Sequence, residues 1–85
     1  MAGNRSFMIK EWGRSHNQAK RIAAELGRRI VSGKYSQHET LPPEAELADE
    51  FNVHRSTVGA AKRLLGKPEH GFLYKVPDSG RWAVA

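Results

Sequence analysis

The sequence predicts a mainly helical α+β domain in which three helices are followed by a C-terminal two-stranded β-hairpin. Apolar residues recur at helical spacing in three stretches between residues 17 and 65, and they alternate at strand spacing on either side of a turn after residue 72. The second and third helices are joined by residues 52–54, a connection too short to cross a domain. This order of elements is typical of the winged helix-turn-helix, which we predict for residues 17–85, with residues 1–16 as an N-terminal arm.

Length and composition are those of one small domain. With 85 residues and 39% hydrophobic residues, the chain can bury only a modest core. It contains no cysteine, which excludes a disulfide scaffold and thiolate metal sites. No apolar run approaches the ~20 residues that span a bilayer, and the N-terminus lacks the apolar core of a signal peptide. We therefore expect a soluble, cytoplasmic protein with no membrane partner.

The net charge of +5 is unevenly distributed along the chain. Residues 1–34 carry eight basic and two acidic side chains, residues 35–53 carry five acidic side chains and no basic one, and residues 54–85 carry six basic and two acidic ones. Two positive segments around an acidic one favour a nucleic-acid partner, although small soluble domains often carry a few units of charge.

The first predicted helix runs from Asn17 to Ser32, with apolar residues at i, i+3, i+4, i+7 and i+11 and Gly33 as its C-terminal cap. The second begins near Pro43, which tolerates the first turn of a helix, and ends at Asn52, which can adopt the left-handed conformation. The third runs from Arg55 to Leu65, and Gly66-Lys67-Pro68 ends it.

The C-terminal residues predict the hairpin. Phe72, Tyr74 and Val76 alternate with their neighbours, residues 77–80 are strong turn formers, and Trp82 and Val84 alternate again. Because an isolated hairpin is only marginally stable in water, one face should pack on the helices.

The N-terminal arm is the least readable part. Its glycines and scattered charges predict no long element, and Ser6 is a candidate cap for a single helical turn carrying Phe7 and Trp12. Docking on the domain is the favoured interpretation. A dimer contact, or a basic arm on DNA using Arg5, Lys10 and Arg14, remains open.

Three groups of residues match a known pattern. They are Ile22, Ile30 and Gly33-Lys34-Tyr35; Leu41-Pro42-x-Glu44-x-Glu46-Leu47-Ala48; and Phe51-x-Val53-x-Arg55-x-Thr57-Val58. In these residues the segment from about 18 to 84 resembles the DNA-binding domain of the GntR family of bacterial winged-helix regulators. The resemblance implies sequence-specific binding to an inverted-repeat operator in double-stranded DNA, usually by a homodimer and most often for repression.

Several residues depart from the family pattern. Pro43 and His54 replace small capping residues, which predicts a weaker cap on the third helix. Ala45 and Gly59 stand where arginines are common, and Lys62 replaces a core leucine, so that Leu64 or the hairpin should supply the missing packing. No effector-binding domain follows. We therefore expect a regulator without a small-molecule ligand, or a piece of a longer protein.

The candidate DNA-binding residues lie on the third helix and the hairpin. A helical wheel places one set opposite the apolar stripe, and two basic residues flank the hairpin turn. Arg55 matches the family's base-reading arginine, Ser56 and Thr57 can donate to phosphate or base, and Arg63 is expected to reach phosphate. The full set is Arg55, Ser56, Thr57, Gly59, Ala60, Arg63, Lys75 and Arg81.

Other functions fit less well. The four histidines form no metal-ligand pair, and no phosphate-binding loop or nucleophile set is present, so we expect neither an enzyme nor a cofactor. An architectural, excisionase-like factor that bends DNA and a winged-helix module for protein contact are the remaining alternatives.

Overall fold

The fold is a winged helix-turn-helix preceded by one additional helix. A computed structural model describes the backbone of residues 2–85 and the side chains of residues 8–85. The described chain forms helices α1 (Ala2–Gly13), α2 (Gln18–Val31), α3 (Glu44–Phe51) and α4 (Arg55–Leu65), followed by strands β1 (Leu73–Lys75) and β2 (Trp82–Val84). The predicted fold class is therefore confirmed, whereas the predicted number of helices is one too low.

Helix α1 corrects the expectation that residues 1–16 contain no long element. Its buried residue Met8 and the partly buried Ile9 and Trp12 pack against the core, and helix α1 lies on α2. Gly27 permits this approach, because a β-carbon there would lie 3.3 Å from Ile9 Cγ1. The helix is thus stabilised by tertiary packing, which local sequence does not reveal.

Ser6 lies within α1 and not at its start. The side chains of residues 1–7, including those of Arg5 and Phe7, lie outside the described residues. The division of the chain after residue 16 stays a prediction.

Both ends of α2 are capped, the C-terminal one at the predicted glycine; Asn17, predicted as the first residue of the helix, is instead its N-cap. Asn17 Oδ1 accepts a hydrogen bond from the Lys20 N–H at 3.1 Å. At the other end Gly33 has φ +88°, and the N–H groups of Gly33 and Lys34 return to the carbonyls of Ile30 and Arg29 at 3.1 and 2.9 Å. Glycine suits this left-handed position, since it carries no β-carbon.

The Asn17 cap gives a stability prediction. Asn17→Ala leaves one helix N–H without its acceptor, so the free energy of unfolding should fall by about 1 kcal/mol in urea denaturation. Gln18→Ala, at the exposed first residue of α2, is the matched control and should change stability by less than about 0.3 kcal/mol. Equal losses for the two variants would contradict the capping role.

The helix-turn-helix corner is formed by residues 52–54. Asn52 adopts φ 57° and ψ 50°, the predicted left-handed end of α3. Val53 is partly buried against the core, and its N–H bonds the Ala48 carbonyl at 3.0 Å. Pro43 lies one position earlier than predicted: it is the extended N-cap of α3 and gives no side-chain cap.

The hairpin pairs in antiparallel register, with Leu73 opposite Val84 and Lys75 opposite Trp82. Residues 77–80 form the predicted turn, which Val76 closes by donating to the Arg81 carbonyl at 2.8 Å. The prediction was wrong for Tyr74, which is 39% exposed, whereas Phe72 and Leu73 are both buried. Simple alternation does not hold across this end of a three-residue strand.

A segment missed by the sequence analysis lies along the other edge of β2. Thr40 pairs with Ala83, and Leu41 donates to the Trp82 carbonyl at 2.9 Å. His38 is thereby brought beside Tyr74, with its Nδ1 3.1 Å from the hydroxyl. The wing is therefore fixed to the chain that leads into α3.

One core connects the helices and the wing. It is built from residues of α2, α3, α4 and the hairpin, among them Ala23, Leu26, Leu47, Val58, Ala61, Leu65 and Phe72. Tyr35 also belongs to this core, and its hydroxyl accepts a hydrogen bond from Arg29 Nη1 at 3.1 Å. Within the described residues, no helix has the length and apolar character needed to cross a membrane.

Candidate nucleic-acid interface

Helix α4 is fixed by a stripe of buried residues. Val58, Ala61 and Leu65 each have no exposed surface, which confirms the predicted inward face and leaves the other side of the helix outward. At its start, His54 Nδ1 accepts from the Ser56 N–H at 3.1 Å and lies 2.9 Å from Ser56 Oγ. A histidine thus takes the capping role, which we expected to be weak.

A groove of about 640 Å³ runs between the start of α3, the outward face of α4 and the turn of the wing. Its walls bring together three elements that are distant in sequence. Its lining residues include Glu44, His54, Arg55, Ser56, Gly59, Lys62, Arg63, Gly80, Arg81 and Trp82.

The structure brings five of the eight predicted DNA-binding residues together in this groove. Arg55, Ser56, Gly59 and Arg63 line it from α4, and Arg81 lines it from the wing. The three arginines are exposed. Because the guanidinium group is always charged and can form paired hydrogen bonds, such a groove suits phosphate and base edges.

The other three predicted residues lie elsewhere. Thr57 and Ala60 face a shallow depression beside Asn17 and Ala19 at the start of α2. Lys75 does not line the groove; its Nζ lies 5.3 Å from the centroid of the Trp82 ring, at the distance of a cation–π contact. The helical wheel placed Ala60 on the outward face of α4 and Thr57 at its margin, because a wheel carries no information on how α2 packs against α4.

Leu64 and the hairpin residue Trp82 do pack against the core, as expected from the absence of a leucine at position 62, but Lys62 also occupies the core position. Its side chain is itself buried, with 2% exposed. The ammonium donates to the Pro42 carbonyl at 2.6 Å and to Glu44 Oε2 at 2.8 Å. The aliphatic stem fills the apolar position while the charged end reaches two acceptors. Lys62 lies at the helical spacing of the stripe, so its burial was detectable in the sequence.

In the sequence analysis Glu44 was named only as part of the family pattern and not as a site residue. It lies in the first turn of α3, and its carboxylate also lines the groove. The hydrogen bond from Lys62 lowers the pKa of Glu44 despite the opposing effect of burial. The carboxylate is therefore ionised at neutral pH.

A second ionic cluster joins α2 to α3 away from the groove. Arg29 bonds the carboxylates of Glu25 and Glu50, and its guanidinium lies 5.1 Å from the centroid of the Phe51 ring. The bond to Glu50 is the main cause of the raised pKa of Arg29 and of the lowered pKa of Glu50. This part of the acidic segment is thus engaged with a structural arginine.

The sequence profile described as bacterial regulatory proteins, gntR family, matches residues 18–67. Those residues run from the first residue of α2 to two residues beyond α4. Helix α1 and the wing lie outside the matched range.

Three known proteins are similar to this chain. The galactonate operon transcriptional repressor of Escherichia coli (strain K12) is 43% identical over 67 residues, which cover 72% of this chain and 29% of that protein. The arabinose metabolism transcriptional repressor of Geobacillus stearothermophilus is 40% identical over 52 residues, covering 60% and 14%. The crystal structure of the possible transcriptional regulator YydK from Bacillus subtilis subsp. subtilis str. 168 superposes with a TM-score of 0.65 at 26% identity, covering 80% of this chain and 29% of that one. This chain spans less than a third of the length of each.

Proposed function

Because the chain belongs to the gntR family of bacterial regulatory proteins, we propose that it binds double-stranded DNA sequence-specifically as a transcriptional regulator. Helix α4 enters the major groove, and the wing contacts the adjacent backbone or minor groove. The groove shared by α3, α4 and the wing, with Arg55, Arg63 and Arg81 on its walls, is the observation that carries this proposal.

Within this proposal each arginine has its own role. Arg55 is at the start of α4, where the recognition helix of a helix-turn-helix contacts base edges, and paired hydrogen bonds to guanine are the commonest specific contact of arginine. Arg63 is two turns further along the helix and contacts phosphate. Arg81, beside the wing turn, contacts the backbone or the minor groove.

The proposed action is repression from an inverted-repeat operator by two copies of the chain, in the cytoplasm where the bacterial chromosome lies. Support for repression comes from the printed names of the two relatives, both transcriptional repressors. Support for a dimer comes from the geometry of helix-turn-helix proteins, whose two-fold symmetry matches a palindromic site.

Selection of bound sites from a random DNA library tests this function. The expected product contains two inverted half-sites separated by about one helical turn or a multiple of it. Footprinting on the selected DNA distinguishes a regulator, which protects these half-sites, from a bending factor, which gives phased sites and a large bend. Binding to the selected DNA should weaken with salt, with a log–log slope of about 0.9 per phosphate neutralised. A flat salt response, or recovery of no DNA, would reject the proposal.

Gly59 gives a gain-of-binding prediction. A β-carbon at this position would meet only Arg63 Nη1, at 3.6 Å, so an arginine fits into the groove. Gly59→Arg should bind random-sequence duplex several-fold more tightly and steepen the salt slope by about 0.9, since one further phosphate is contacted. Gly59→Ala is the control and should leave the slope unchanged. An unchanged slope for Gly59→Arg would show that position 59 does not face DNA.

A further inference from the structure

Lys62 places a positive charge beneath the proposed DNA-binding groove. Lysine is rarely buried without a partner, because removing an ammonium from water is costly. Here the ammonium is held by two acceptors, the Pro42 carbonyl and the Glu44 carboxylate, at 2.6 and 2.8 Å. Both acceptors belong to the chain that enters α3, whereas Lys62 belongs to α4.

Glu44, the partner of Lys62, places a negative charge in the same groove. Its side chain is 46% exposed, and it is the one acidic residue among the described residues that line the groove. A carboxylate in a groove that receives DNA repels the phosphates, and like charges across an interface are strongly unfavourable. The ammonium of Lys62 donates a hydrogen bond to the Glu44 carboxylate and supplies the compensating positive charge.

We propose that Lys62 is a positioning residue for DNA binding, which holds the Glu44 carboxylate and cancels its charge from below the groove. The arginines of the groove then meet the phosphates without an opposing charge among them. The inference depends on the proposed function, because it concerns how the same groove accepts DNA.

A purely structural role for Lys62 makes different predictions. The lysine could serve only to fasten the start of α3 to α4, in which case stability and DNA affinity would fall together on its removal. Removing one member of an ion pair is costly when the other member stays buried, whereas apolar replacement of the whole pair is often neutral or stabilising. The Glu44 side chain is 46% exposed, so water can solvate its carboxylate when the lysine is absent. In our proposal Lys62→Leu therefore keeps most of its stability and loses affinity, because the charge of Glu44 is left uncompensated.

The test is a double-mutant cycle with Lys62→Leu, Glu44→Gln and the double variant in the full chain. Binding to a fluorescein-labelled duplex of random sequence is measured by anisotropy, and stability is measured by thermal unfolding. Lys62→Leu should weaken binding about tenfold, since a single uncompensated charge near several phosphates acts at short range. Glu44→Gln should tighten binding several-fold, and the double variant should return to within about twofold of wild type.

Two results would overturn the inference. Equal weakening of Lys62→Leu and the double variant would assign the lysine a structural role alone, because removing the carboxylate charge would then rescue nothing. If Glu44→Gln bound DNA with the affinity of the wild type, the lysine would again have a structural role alone. This single variant tests the inference even if Lys62→Leu does not fold. If the wild-type chain binds neither this duplex nor selected DNA, the proposed function itself fails. If the wild-type chain binds DNA but the variants of the cycle do not change its affinity, only the role of Lys62 is rejected.

Discussion

Gly66→Ala is expected to destabilise the domain by about 2 kcal/mol, although alanine is the better helix former. Gly66 is the C-cap of α4, with φ −83° and ψ −4°, a conformation that any residue adopts. The obstacle is the wing: a β-carbon would lie 2.4 Å from Trp82 Cζ3 and 2.8 Å from Cη2. Because the indole is rigid, either its rotamer or the whole wing must shift. Thermal unfolding should show a fall in Tm of about 10 °C for a domain of this size.

Two further variants identify the cause. Gly59→Ala adds a β-carbon in the same helix with no contact closer than 3.6 Å, so it should be neutral or slightly stabilising. In the variant that combines Gly66→Ala with Trp82→Ala, the added methyl has space, and the loss should be smaller than the sum of the two single losses. An unchanged Tm for Gly66→Ala would show that the wing is not seated against the end of α4.

Periodic elements with local start and stop signals could be predicted from the sequence. Helix α2 has a continuous apolar stripe between Asn17, which is its N-cap, and Gly33, which follows the C-cap Ser32 in the left-handed conformation. Helix α4 begins and ends at the predicted residues. In these cases the information lies within about fifteen residues of the element itself, so that local chemistry and the fold agree.

The failures have a common physical cause, which is contact between segments distant in sequence. Helix α1 lacks a clear apolar face and depends on the gap at Gly27. Tyr74 is partly exposed and lies beside His38, which precedes the segment that pairs with β2. Glu44 lines the groove and is bonded to Lys62, eighteen residues away. Pair contacts of this kind leave no periodic trace in a single sequence.

Arg55→Ala is expected to reduce affinity for the selected operator by roughly 1–3 kcal/mol, with a much smaller effect on random-sequence duplex. The reason is that Arg55 is the exposed first residue of α4 and lines the groove. A paired hydrogen bond from its guanidinium to guanine would distinguish one base pair from the others, in addition to attracting the phosphates. The measurement is a pair of binding isotherms, on operator and on random duplex, at one salt concentration. The selected motif should also lose its preference at one base pair in each half-site.

Two arginines provide controls for this result. Arg63→Ala should weaken binding to both duplexes alike, because a phosphate contact is independent of sequence. Arg28→Ala removes the same charge from α2, where the guanidinium pairs with Glu25 and is not part of the groove lining, so it should change neither isotherm appreciably. If Arg55→Ala lowered affinity for both duplexes equally, Arg55 would be a phosphate contact, and sequence reading would have to come from Ser56, from the wing or from the shape of the DNA. The ratio of the two affinities therefore decides whether the start of α4 reads bases.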